Sequence, residues 1–333
     1  MSLDRAPLLL GEREYKWDEL ELAKAPDEGW AHHGVAVLED GSIVAAAPDR
    51  ACLVRLDGSG RELSRIDLEL LEMHGITVSS DARVERLWVA DNGHKFVPGR
   101  PSYGEVTRPG RVVAVGLDGS VHQEITTPEL EAYELSPWQP CAVAVDDESL
   151  GGTGDLWVAD GYGQSLLHRF SAAGRWLATF DGSATGTKFD TPHDIVIDRR
   201  RATPELYVAD RGNKRVVVLD LEGHFLRIVG AGALTSPSGL ATSGELLFIA
   251  ELHGRLAALD STDTVVGYLG ATSVQERQGW PNTVDELGNT VRVANPGPGI
   301  FNSPHGLATD SRGAVYVSEW LIGGRLVRLL PVG

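Results

Sequence analysis

Short apolar stretches recur along the chain, most of them alternating inward and outward positions, and each stops at a Gly, Asp or Ser turn. One phrase repeats. A small turn opens an apolar strand, a gap containing Asp or Gly follows, and an aromatic-Val-Ala-Asp strand closes the unit. The clear copies are HGITVSSDARVERLWVAD (His74 to Asp91), CAVAVDDESLGGTGDLWVAD (Cys141 to Asp160), HDIVIDRRRATPELYVAD (His193 to Asp210) and HGLATDSRGAVYVSE (His305 to Glu319). Two weaker copies are HGVAVLEDGSIVAAAPD (His33 to Asp49) and SGLATSGELLFIAE (Ser238 to Glu251). Most copies are followed by a third strand, such as RVVVLDLEG (Arg215 to Gly223), and several by a fourth, such as FLRIVGAG (Phe225 to Gly232). The period-2 alternation of Val143 with Val145 and of Ile195 with Ile197 favours strands over helices. Six units of short antiparallel strands, spaced by about 40 to 70 residues, predict an all-β chain folded as one six-bladed β-propeller.

The predicted blades cover approximately 30–70, 71–135, 136–188, 189–233, 234–275 and 300–333. Little chain remains after the third strand of blade 6, so the segment around Glu12 to Leu22 is expected to supply the missing strand and close the ring. An open edge would otherwise invite pairing with another chain. Two stretches exceed the repeat: His94 to Pro109 within blade 2, and Ala271 to Phe301 between blades 5 and 6. The second holds Trp280, Pro281, Pro296 and Pro298 and is a candidate lid.

Composition narrows the function. The chain has 333 residues, 42% hydrophobic and 23% charged, with 39 Gly and 17 Pro, which suits many short strands and turns. The net charge of −17 disfavours nucleic acid and anionic membrane surfaces as partners. Two cysteines, Cys52 and Cys141, are too few for a disulfide scaffold. Leu8 to Leu10 is too short for a signal-peptide core, and no run approaches a spanning helix, so a soluble cytoplasmic protein is expected.

Aligned at the residue that opens each first strand, the units read His33, His74, Cys141, His193, Ser238 and His305. The first strand of a propeller blade lines the central channel, so these six residues form a ring at its mouth. His74, His193 and His305 come from alternate blades, about 120° apart by the sixfold geometry. Three neutral imidazoles with one open side match a catalytic zinc site, although imidazole also suits iron, copper and nickel. His33 is a fourth histidine in register. It is read either as a support for the other three, as a substrate contact, or as a plain turn residue.

The second strand returns to the same face, so the residues after Ala-Asp fall beside the histidines. These are Tyr162 in blade 3, Arg211 in blade 4 and Arg50 in blade 1. A tyrosine next to a cation is a candidate general base, and arginine clamps carboxylates. The set points to a small anionic substrate. The recurrent acids Asp91, Asp160, Asp210, Glu251 and Glu319 are read as turn holders because they repeat in five blades.

The phrases QPCAVAVDD, WVADGYGQS, TPHDIVID, YVADRGNKR and SPHGLATD resemble NHL-repeat propellers, and among these look most like peptidyl-α-hydroxyglycine α-amidating lyase. The resemblance implies zinc on His74, His193 and His305, a catalytic Tyr162, and active-site arginines at Arg211 and Arg50. It implies cleavage of the C–N bond of an α-hydroxyglycine to an amide and glyoxylate. The disulfide cysteines of that family are absent here, with Trp138, Gly163, Tyr207 and Val218 roughly in their places. Its structural calcium uses a carboxylate beside the blade-6 histidine; that position is Gly306, which puts calcium in doubt. Two other readings stand beside the lyase. One is a metal-dependent hydrolase or lactonase, which usually relies on axial carboxylates. The other is a non-catalytic NHL propeller that binds a protein partner.

Overall fold

The computed structural model describes residues 7–21, 29–48, 50–81, 84–271, 280, 282–292 and 297–332. Much of the 271–301 stretch, including Pro281 and Pro296, lies outside the described residues. Six antiparallel sheets are arranged as propeller blades. Blade 1 runs from Val35–Val37 to Glu62–Asp67, and blade 2 from Met73–Asp81 to Val121–Ile125. Blades 3, 4 and 5 run from Ala142–Val145 to Trp176–Phe180, from Pro192–Asp198 to Phe225–Val229, and from Pro237–Ser243 to Val265–Leu269. Blade 6 takes Pro304–Thr309, Val315–Glu319 and Arg325–Val332 from the C-terminal end of the chain. The N-terminal strands Arg13–Leu20 and Leu8–Leu10 complete it, with Trp17 opposite Leu329. This pairing of the two ends of the chain closes the ring and covers what would be an exposed edge.

The middle strands are buried on both faces, which explains why they read as continuous apolar runs rather than strict alternation. In Glu205–Asp210, Leu206 and Val208 enter the core shared with blade 3, while Tyr207 and Ala209 enter the core shared with blade 5. The period of two therefore survives as a division between two cores. The outer strands have one exposed side, as in Trp176–Phe180.

Near the axis the first strands approach until side chains no longer fit. A Cβ on Gly75 would lie 2.5 Å from the Cys141 carbonyl oxygen, and one on Gly239 2.4 Å from that of His305. The glycine after the axial residue is thus required by backbone packing between blades.

The recurrent acids hold the loops that lead into these strands. Asp91 accepts the backbone N–H groups of Leu71 and Glu72, Asp160 that of Gln139, Asp210 that of Asp190, and Glu319 those of Asn302 and Ser303. Glu251 accepts the Thr235 backbone N–H in the same way, and the Thr235 hydroxyl as well. In blades 4, 5 and 6 an arginine on the third strand (Arg215, Arg255, Arg325) pairs with the acid. Each acid anchors the segment that presents an axial side chain.

The 94–109 insertion forms a hairpin, His94–Val97 against Gly104–Thr107. Trp30–Ala31 pairs with Leu321–Ile322 and fixes the segment just before the first blade.

Candidate active site

Four histidines meet on the propeller axis: His32, His74, His193 and His305. All are buried, and one ring nitrogen of each lies within 4.8 Å of those of the others. His74, His193 and His305 come from the openings of blades 2, 4 and 6, the positions singled out by the repeat. The fourth comes from blade 1, but it is His32 and not His33. The only sequence signal for it was the His-His doublet, whose second member holds the repeat register.

His33 is also buried, and neither of its ring nitrogens has a partner among the described residues. Its carbonyl oxygen accepts the Ser318 hydroxyl at 2.6 Å, so the residue takes its place in the ring through its backbone.

The neighbouring blade orients two of the axial rings. His74 Nδ1 lies 2.7 Å from the Cys141 carbonyl oxygen, and His193 Nδ1 lies 2.6 Å from that of Ser238. An N–H is required on Nδ1 for these bonds, so Nε2 carries the lone pair and faces the axis. Burial drives the His74 pKa down to about 3 and holds those of His32, His193 and His305 well below the usual histidine range. Neighbouring rings and the Arg211 guanidinium add to the effect. Four neutral imidazoles converge here without an acid among them.

Tyr162 sits over this group. Its hydroxyl lies 2.8 Å from His193 Nε2, 3.1 Å from His32 Nε2 and 3.3 Å from His74 Nε2. Arg211 Nη1 donates to the same oxygen at 3.3 Å, with the guanidinium carbon 5.3 Å from the ring centre. Burial raises the Tyr162 pKa to about 12, against the lowering effect of Arg211. The turn that carries Tyr162 is held by Asp160, which accepts the Gln164 N–H at 2.7 Å and the Tyr133 hydroxyl at 2.7 Å.

Arg50 is placed differently. The second strand of blade 1 stops at Ala46, so Arg50 lies in the turn beyond it, closed by the Ala47 N–H bonding the Cys52 carbonyl. Its side chain is exposed and its charge acts on Cys52 and Glu62. In blade 4 the second strand runs to Asp210 and delivers Arg211 directly to the axis.

The donor set fits a divalent transition metal. Among the described residues the ring nitrogens of His305 and Nδ1 of His32 are buried with no close hydrogen bond, although the His33 backbone acts on the His305 ring, and a bound cation would take one nitrogen of each imidazole. At Gly306 a Cβ would come 2.6 Å from Ser318 Oγ, so no carboxylate fits beside His305. The residue beside His193 is Asp194, whose oxygens accept the Ile195 and Leu240 N–H groups and whose pKa burial raises to about 7. Cys52 and Cys141 are free and buried.

The histidines separate two spaces. The central channel on one side has a volume of about 470 Å³ and is bordered by His74, His193 and His305. On the other side a cavity of about 510 Å³ opens over Tyr162, Arg211 and His32. Among the described residues no helix is long and apolar enough to cross a membrane.

No family model matches the chain. Human NHL repeat-containing protein 3 is 28% identical over 274 residues, covering 77% of this chain and 65% of that protein. Mouse peptidyl-glycine alpha-amidating monooxygenase is 24% identical over 301 residues, covering 87% of this chain and 26% of the relative. Peptidyl-alpha-hydroxyglycine alpha-amidating lyase 2 of Drosophila melanogaster is 28% identical over 182 residues, covering 54% and 39%. The chain therefore spans less than two thirds of the length of these curated relatives. In fold it is similar to a streptogramin B lyase structure, with a TM-score of 0.59 at 16% identity over 97% of this chain and all of that one. It is also similar to virginiamycin B lyase from Staphylococcus aureus, with a TM-score of 0.54 at 14% identity, covering 96% and 100%. With repeats, blades and relatives in agreement, the chain is a six-bladed β-propeller of the NHL-repeat type, distantly related in sequence to peptide-amidating enzymes.

Proposed function

We propose that the chain is a metal-dependent lyase that cleaves the C–N bond of a small α-hydroxyglycine-like substrate. The observation that carries this reading is the position of the Tyr162 hydroxyl, within 3.3 Å of three axial histidines and of Arg211. The distant sequence relation to amidating enzymes supports it.

His74, His193 and His305 would hold the metal, for which zinc is the proposed ion, with His32 beside them. A divalent cation there supplies Lewis acidity to a substrate oxygen and favours the phenolate of the adjacent tyrosine. Arg211 binds the substrate carboxylate; apart from the bond to Tyr162, its guanidinium has no carboxylate partner among the described residues. Tyr162 takes the proton of the α-hydroxyl. The O–H electron pair becomes the carbonyl bond of glyoxylate as the C–N bond breaks. The nitrogen keeps the C–N pair and takes the proton back from the Tyr162 phenol, leaving a primary amide.

The test has two parts. Metal analysis of the purified protein should find about one divalent ion per chain, lost in a His74→Ala, His193→Ala, His305→Ala triple variant. The metal-loaded protein should then release glyoxylate from an N-acyl-α-hydroxyglycine. A protein that takes up no metal after stripping and reloading, or that turns over no carbinolamide when loaded, overturns the reading.

A further inference from the structure

The cavity over Tyr162 has walls unlike the rest of the propeller face. Trp30, Phe96, Leu252, Trp280 and Trp320 line it, and they come from five separate segments of the chain. Trp30 stacks on His32 with ring centres 5.1 Å apart and planes 1° from parallel. Phe96 meets Trp30 edge-on at 4.1 Å, and Trp280 lies 4.4 Å from Trp320. Phe96 arrives on the 94–107 hairpin, an addition to the four-stranded blade that gives the site one wall.

These residues pack as one small apolar cluster, with Trp30, Leu252 and Trp320 buried and Phe96 and Trp280 partly exposed against them, but their polar atoms are not paired. Four buried indole N–H groups lack a hydrogen-bond partner among the described residues, and three of them belong to Trp30, Trp280 and Trp320 around this one cavity. A buried donor left unpaired keeps its desolvation cost uncompensated, so a concentration of them at a cavity marks a place for acceptor atoms of a ligand. Arg211 stands at the inner end with a guanidinium that has no carboxylate partner among the described residues. The walls thus offer flat apolar surface and N–H donors, with one positive charge next to the histidines.

From this geometry we infer that the substrate carries a compact aromatic acyl group. Its ring packs against Phe96 and Trp280, its carbonyl oxygen accepts from the indoles, and its carboxylate meets Arg211. The class is an N-aroyl α-hydroxy amino acid rather than a long polar peptide. The assignment rests on the lyase reading for the hydroxyl group, whereas the acyl preference rests on the cavity alone.

Binding is separable from turnover by using glycine analogues that lack the hydroxyl. N-benzoylglycine, N-acetylglycine and triglycine are titrated into the metal-loaded protein, following tryptophan fluorescence and heat. N-benzoylglycine should bind at least about tenfold more tightly than either of the others and change the tryptophan emission. Phe96→Ala and Trp280→Ala, both at partly exposed positions, should each reduce that preference several-fold with metal content and thermal midpoint preserved. Equal affinities, no binding of N-benzoylglycine, or a preference untouched in both variants overturns the inference. If N-benzoylglycine binds selectively but N-benzoyl-α-hydroxyglycine yields no glyoxylate, the cavity assignment stands and the lyase reading falls.

Discussion

His193 Nδ1 lies 2.6 Å from the main-chain carbonyl oxygen of Ser238, the residue that opens the next blade. His74 makes the same bond to Cys141, the opening residue of its own neighbour. The first strands thus serve as a scaffold in which blades 3 and 5 each aim the imidazole of the blade before. Because the acceptor is backbone, substitution of Ser238 or Cys141 leaves the orientation in place.

Tyr162→Phe removes the hydroxyl that contacts His32, His74, His193 and Arg211 together. The ring and its packing remain. Metal content should match wild type, while kcat for glyoxylate release should fall by about 10²–10⁴, the usual contribution of a positioned acid–base group. Unchanged kcat in a metal-loaded Tyr162→Phe protein would remove Tyr162 from the chemistry.

Arg211 and Arg50 should part company. Arg211→Ala removes the guanidinium at the axis and should raise KM for a carboxylate substrate by about ten- to a hundredfold, a loss of one charge-assisted pair. Arg50→Ala removes an exposed charge on the turn of blade 1 and should change KM by less than about twofold. Steady-state kinetics on the two variants, with the neutral amide of the same substrate as control, read the difference. Equal effects would mean that the arginines act through general charge rather than contact.

The acid limb of stability should depend on His168. This residue is fully buried, with Nδ1 2.9 Å from the Thr179 hydroxyl and Nε2 2.7 Å from the Tyr133 hydroxyl, and burial lowers its pKa to about 4. An unfolded chain takes up this proton near pH 6.5. Between pH 6.5 and 4 the unfolded state therefore binds more protons, so stability falls as pH falls and levels off below 4. Asp160, raised to about 6 by burial, contributes in the opposite sense, since its folded form takes up a proton first. Comparison with His168→Gln isolates the histidine. From pH 7 to 4, urea denaturation should show wild type losing up to about 3 kcal/mol relative to the variant. Parallel pH profiles would contradict the assignment.

Gly75→Ala tests the packing at the axis. The added methyl would meet the Cys141 carbonyl oxygen at 2.5 Å, and that carbonyl is backbone held by the His74 ring. A destabilisation of about 1–3 kcal/mol by denaturant unfolding is expected, as for other overpacked sites. Metal affinity should fall with it, because the carbonyl that orients His74 must move. Gly244→Ala, where nothing lies within 4 Å of the new Cβ but φ is +57°, is the comparison for strain without crowding.

The repeat made much of this molecule legible in the chain itself. A phrase that recurs with one register fixes which residue of each unit opens the innermost strand, so three axial histidines were readable as a column. Tyr162 and Arg211 were readable for a related reason. Each follows a second strand that runs to its Asp, and antiparallel pairing returns that end to the face where the first strand begins. Such inferences need only period and strand direction, both local properties of sequence.

What lay beyond the chain was whatever depends on where backbone stops following the repeat. Blade 1 ends its second strand at Ala46, so Arg50 stands on an exposed turn beyond it although its phrase resembles the others. His32 and His33 are adjacent and chemically identical, and register favoured the second. Pairing of Trp30–Ala31 with Leu321–Ile322, a contact between opposite ends of the chain, aims His32 at the axis and turns His33 away from it. The aromatic cavity likewise draws on Trp30, Phe96, Trp280 and Trp320, residues brought together only when the ring closes. Periodicity specifies the scaffold because each strand needs the same inward positions; the site depends on long-range contacts between loops that share no period, and those exist only in three dimensions.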